Sequence, residues 1–77
     1  MAAKGLLRAL GEELRARRLA KGFSQEGLAD RAGLHRNFVG LLERGQRNPT
    51  LLTLEAIASA LKTSISDLLV NTEGRQR

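Results

Sequence analysis

The sequence predicts an all-α fold of five short helices, and three observations lead there. Apolar residues recur three and four positions apart along the whole chain, which is the spacing of one helix face. No stretch alternates apolar and polar with period two, so no half-buried strand is expected. Glycines and hydroxyl side chains break the chain at helix-length intervals. With 77 residues and no Cys, the chain is expected to be one domain spanning 1–77. Its core should lie at about 6–70, with a polar tail at 71–77. No disulfide is available, so a packed core must hold it together.

The first helix is expected at about Lys4–Lys21, with Leu7, Leu10 and Leu14 on its buried face. Gly22 offers a left-handed stop and Lys21 a favourable charge in the last turn. Ser24 is the expected N-cap of a second helix at about Gln25–Ala32. A capping box would want Glu or Gln where Gly27 stands, which weakens that start. Leu28, Ala29 and Ala32 face inward, and Gly33 marks a sharp turn that favours positive φ. A third helix follows at about His35–Arg44, with Val39 and Leu42 inward and Phe38 beside them. Gly45 ends it, and Pro49 keeps Gln46–Pro49 a loop. Thr50 caps a fourth helix, about Leu51–Leu61, whose stripe is Leu54, Ile57, Ala58 and Leu61. Ser64 with Asp67 opens a fifth helix through about Leu69. Ile65, Leu68 and Leu69 are expected to close the core. The tail Asn71–Arg77 is expected to fray.

Composition narrows the function. Lys and Arg number 13 against 8 Asp and Glu, a net charge of +5. On a small domain that balance favours a polyanionic partner. No apolar run approaches the roughly 18 residues of a membrane span. Met1–Leu10 lacks the long apolar stretch of a signal peptide. A cytoplasmic protein is therefore expected. There is no Cys and one His, no carboxylate pair and no phosphate-cradling glycine loop. An enzyme is thus rejected. No catalytic residue, metal, cofactor, membrane or small-molecule partner is expected.

The informative segment is Gln25 to Arg44. Ala29 is small where two helices must cross closely, Gly33 sits where the chain reverses, and Val39 and Leu42 wedge the second helix across the first. Helix, glycine turn and helix at a steep angle make a helix-turn-helix. The longer pattern joins Gly22, Phe23, Ser24 and Gln25 to Leu28-Ala29, Ala32-Gly33-Leu34 and Val39. It continues through the run Glu43 to Leu51, Leu54, Ile57-Ala58 and Ala60-Leu61. Over about Leu10–Leu69 this pattern resembles the Xre family of phage Cro and repressor DNA-binding domains.

The resemblance implies a five-helix Cro/repressor-like domain, sequence-specific binding to double-stranded DNA, and a symmetric homodimer on a palindromic operator. The general docking geometry puts the start of the second motif helix in the major groove. His35, Arg36 and Asn37 are then nearest the base edges. Arg36 suits guanine O6 and N7, and Asn37 suits adenine N6 and N7. Gln25, at a helix start where amides and dipole favour an anion, is assigned to the DNA backbone. Arg44, Arg47 and Asn48 resemble the family's phosphate clamp. Arg18 and Glu43 occupy positions that form a buried ion pair in the phage repressors. Leu41 stands where the family often carries a polar residue that touches DNA. It either meets a thymine methyl or packs outside the core. Gly40 has no side chain and permits close approach to the groove wall.

Plainer readings accompany these. Arg8, Arg15 and Arg17, with Glu12 and Glu13 among them, read as a solvated face of the first helix. Phe23 and Phe38 read as core or near-core. Leu51 and Leu52 are peripheral core or a dimer seam, since exposed apolar clusters mark contacts; Val70 is a weaker candidate for the same seam. The run Gly33 to Gly40 with Glu43 to Asn48 looks somewhat like the controllers of restriction–modification systems, which regulate transcription. An antitoxin or protein-interaction module on the same fold is the alternative. The short tail argues against it.

Overall fold

Hydroxyl caps set three of the helix starts. Ser24 Oγ accepts the amide of Gly27 at 2.9 Å, Thr50 Oγ1 that of Thr53 at 3.0 Å, and Ser64 Oγ that of Asp67 at 3.0 Å. Each satisfies a donor that the first helical turn leaves without a partner. The computed structural model describes residues 3–76, with side chains from residue 5 onward. Its helices are α1 (Ala3–Ala20), α2 (Gln25–Ala32), α3 (Arg36–Glu43), α4 (Leu51–Ala60) and α5 (Ile65–Gly74). His35 stands at the N-cap of α3 without a side-chain bond. At the end of α2, Gly33 adopts φ 69°, and Leu34 donates to the Ala29 carbonyl at 2.8 Å. Only glycine takes that left-handed turn without strain.

α1 packs on α3 and α5, α2 packs on α3 and α4, and α4 closes on α5. Between them lie Leu10, Leu14, Leu28, Ala29, Val39, Leu42, Leu54, Ile57, Ala58, Leu61 and Leu68, all buried. Phe23, Phe38 and Ile65 pack on the edge of this cluster. Leu7 is only half-buried. The tightest crossing involves Gly11. A Cβ there would lie 2.5 Å from the carbonyl oxygens of both Leu42 and Glu43. This helical glycine lets α1 touch the backbone of α3 and so fixes the height of α3 in the molecule.

The C-terminal region differs from the sequence expectation. α5 does not stop at Leu69 but runs to Gly74, and Thr72 is fully buried. Its Oγ1 donates to the Leu68 carbonyl at 2.7 Å, so the hydroxyl is satisfied inside the core. Leu69, expected in the core, is 38% exposed. The cause of the longer helix is Glu13, expected on a solvated face but buried on α1. Its carboxylate accepts Arg75 Nε at 2.8 Å, Asn71 Nδ2 at 3.2 Å and Arg17 Nε at 2.6 Å. The polar residues of the expected tail therefore hold α5 to α1. Arg77 lies outside the described residues.

Candidate nucleic-acid interface

α3 divides its residues sharply. Val39, Gly40, Leu42 and Glu43 are buried, whereas Arg36 and Asn37, and Arg44 just past its end, are exposed. The amphipathic stripe that seats the helix thus leaves one cationic and amide-bearing stripe outside. His35 is exposed at the start of the helix, and Arg47 and Asn48 are exposed in the loop after it. Arg36, Asn37, Leu41 and Arg44 line one shallow concavity together with Gln25 of α2.

Arg47 is not a free arm: its guanidinium lies 5.1 Å from the centre of the Phe38 ring. A ring beneath a cation restricts the arginine and leaves its N–H edge free to bond an anion. Arg44 Nε donates to Gln46 Oε1 at 3.2 Å. The Arg31 guanidinium lies over the Phe23 ring, 4.3 Å from its centre.

Behind the exposed stripe is a buried charge network. Arg18 donates to Glu43 through Nε at 2.6 Å and Nη2 at 3.0 Å, a two-pronged pair. Arg18 Nη1 also donates to the Phe23 carbonyl at 2.8 Å. Both residues are under 10% exposed, at 7% and 8%. The hydrogen bonds to Glu43 hold the Arg18 guanidinium above its ordinary pKa. Gln25 Nε2 donates to Glu43 Oε1 at 3.1 Å. One carboxylate therefore ties together α1, the start of α2 and the end of α3. The Gln25 side chain thus joins this network while also lining the concavity, and the backbone amides at the start of α2, which the sequence assigned to an anion, stand beside it.

A second surface lies on α4. Leu51 and Leu52 are 68% and 76% exposed. Beside them Ala56, Ser59, Ile65 and Ser66 line a groove between α4 and α5. Val70 is 63% exposed farther along α5. Sequence reasoning missed Phe38 as the platform for Arg47 and Glu13 as the anchor of α5. Phe38 flanks the buried stripe of α3, a position from which a ring can serve core and surface together. For Glu13 the only local signal was the Arg17 four residues on. Among the described residues there is no grouping of three His, Cys, Asp or Glu that would hold a metal. None of the described helices is long and apolar enough to cross a membrane.

Comparison with known proteins gives a consistent picture. A family model described as helix-turn-helix matches residues 14–68. The chain is 48% identical over 60 residues to the control protein C.SmaI of Serratia marcescens, covering 78% of this chain and 71% of that one. It is 43% identical over 60 residues to the control protein C.BamHI of Bacillus amyloliquefaciens, covering 77% and 74%. Among solved structures, the restriction–modification controller protein C.AhdI of Aeromonas hydrophila superposes with a TM-score of 0.79 at 47% identity. That match covers 80% of this chain and 94% of the other.

Proposed function

Because the chain belongs to the helix-turn-helix family of DNA-binding regulators, we propose that it is a sequence-specific transcriptional regulator of the restriction–modification controller type. The observation that carries this reading is the exposed stripe of α3. Arg36 and Asn37 stand outward on a helix whose opposite face is locked into the core by Val39, Leu42 and the Arg18–Glu43 pair. A helix seated this way enters the major groove with its first turn leading. Arg36 then reads a guanine edge, Asn37 an adenine edge, and His35 approaches from the N-cap. Arg44, Arg47, Asn48 and the start of α2 at Gln25 contact the sugar–phosphate backbone and set register. The similarity to two control proteins and a controller structure supports the controller assignment.

The regulator acts as a homodimer. Leu51, Leu52 and the adjoining groove between α4 and α5 are the self-association face. Large apolar side chains this exposed are costly unless covered. Two α3 helices related by a two-fold axis enter successive major grooves about 34 Å apart, which calls for a palindromic operator.

Selection of bound sequences from random duplexes tests the reading. A palindromic consensus is expected. Arg36→Ala should relax preference at one base pair per half-site, a discrimination of about 1–3 kcal/mol. Arg47→Ala should weaken every duplex alike and lower the salt slope by about one. Unchanged preference in Arg36→Ala would overturn the assignment of α3 as the reading helix.

A further inference from the structure

We infer that the notch over Gly40 on α3 reads a methyl group on C5 of a pyrimidine, with Leu41 as the specificity-determining residue. The inference rests on α3 lying in the major groove, as proposed above. Gly40 stands in the middle of α3, although glycine is among the poorest helix formers. One turn before it are Arg36 and Asn37, and one turn after it is Arg44. With Gln25 of α2 and Leu41 these line a concavity whose floor includes the buried backbone of Gly40. A Cβ on Gly40 would lie 3.4 Å from Arg44 Nη1 and 3.5 Å from Gln25 Oε1. A single added carbon therefore fits against those walls and takes up the floor.

Leu41 is the one apolar side chain in that wall, and it is half-buried outside the core cluster. Phosphate binding has no use for an apolar wall, and base-edge hydrogen bonds have none either. The C5-methyl of thymine is the apolar group that a base pair presents in the major groove. 5-Methylcytosine carries the same carbon at the same ring position. A methyl between Leu41 and the Gly40 backbone loses water on two sides, while Arg36 and Asn37 meet the polar edges of neighbouring bases. The chain thereby distinguishes a methylated pyrimidine from a bare one at one position of each half-site. Thymine and methylated cytosine are the two sources of that methyl.

The test uses the full chain and a duplex recovered by selection. Each thymine is replaced in turn by deoxyuridine, and each cytosine in turn by 5-methylcytosine. Removing the methyl from one thymine per half-site should weaken binding about fourfold, the worth of one buried methyl. If a cytosine occupies the position, methylating it should strengthen binding by the same factor. Leu41→Ala and Gly40→Ala should each erase the difference, with thermal melts establishing that both variants fold. The modified duplexes are read by the unaltered chain, so they decide the matter even where a variant does not fold. The inference is overturned if every modified duplex binds within twofold of its parent, or if the methyl effect survives both variants. A chain that selects no duplex overturns the proposed DNA reading and this inference with it. A chain that selects one and ignores every methyl overturns the inference alone.

Discussion

Glu43 shows how much one side chain decides. It accepts from Arg18 twice and from Gln25 once, all within a nearly closed interior. Removing it strands the Arg18 guanidinium beside a single remaining acceptor, the Phe23 carbonyl. Breaking one half of a buried pair costs about 3–5 kcal/mol, a large share of what a domain this small commands. Glu43→Ala is therefore expected to melt tens of degrees lower or not fold at all, and circular dichroism melting checks it. A melting temperature near that of the parent would refute this role. At the same scale, Glu13 gives a pH dependence. Burial pushes its carboxyl up, but the hydrogen bonds from Arg75, Arg17 and Asn71, with the charge of Arg17, outweigh burial and hold it below its ordinary value. A depressed carboxylate contributes stability that is present above the unfolded value of about 4.5 and lost as pH falls through the folded one. Arg17 and Arg75 are partly solvated, which screens the contribution and keeps it modest. Melts of the parent and of Glu13→Gln should differ at pH 7 and draw together as pH falls below about 4.5; a constant gap would contradict the linkage.

Among the elements, the helix starts were the most legible in the sequence. Ser24, Thr50 and Ser64 each act within three residues of themselves, and a local rule suffices to find a local bond. The extent of α2 was equally plain, because Gly33 stops it by its own conformation. The end of α5 was not. Asn71 and Arg75 read as a polar tail because the carboxylate that fixes them lies 58 and 62 positions away along the chain. The α1–α3 crossing was likewise hidden: Ala29 marks the crossing of α2 and α3, whereas nothing local pointed to Gly11 as the point where α1 meets the backbone of α3. Gly11→Ala gains helix propensity of about 1 kcal/mol but drives a methyl into two carbonyl oxygens that cannot swing away. The expected net effect is a loss of about 1–3 kcal/mol in chemical denaturation. A stabilised Gly11→Ala would show that α1 and α3 separate without penalty.

For the whole molecule, the Leu51–Leu52 face and the α3 stripe belong to different elements, so association and reading can be disturbed separately. Leu52→Lys alters a side chain that is 76% exposed and should leave the melting temperature of the isolated subunit nearly unchanged. It should shift sedimentation from dimer to monomer and weaken operator binding more than tenfold, since half the contacts are lost. A dimer that persists in Leu52→Lys would place the seam elsewhere. The candidate seam was visible in the sequence only as two leucines without a partner; which way they face depends on how α4 sits on α2 and α5. The division within α3 has one more result. Val39, Leu42 and Glu43 face in while Arg36, Asn37 and Leu41 line the outer concavity, so with α3 reading DNA as proposed, a lineage can rewrite its DNA preference without disturbing its fold. Sister proteins that diverge at these three outer positions, yet share the inner ones, would recognise different promoters from the same scaffold and coexist in one cell without crosstalk.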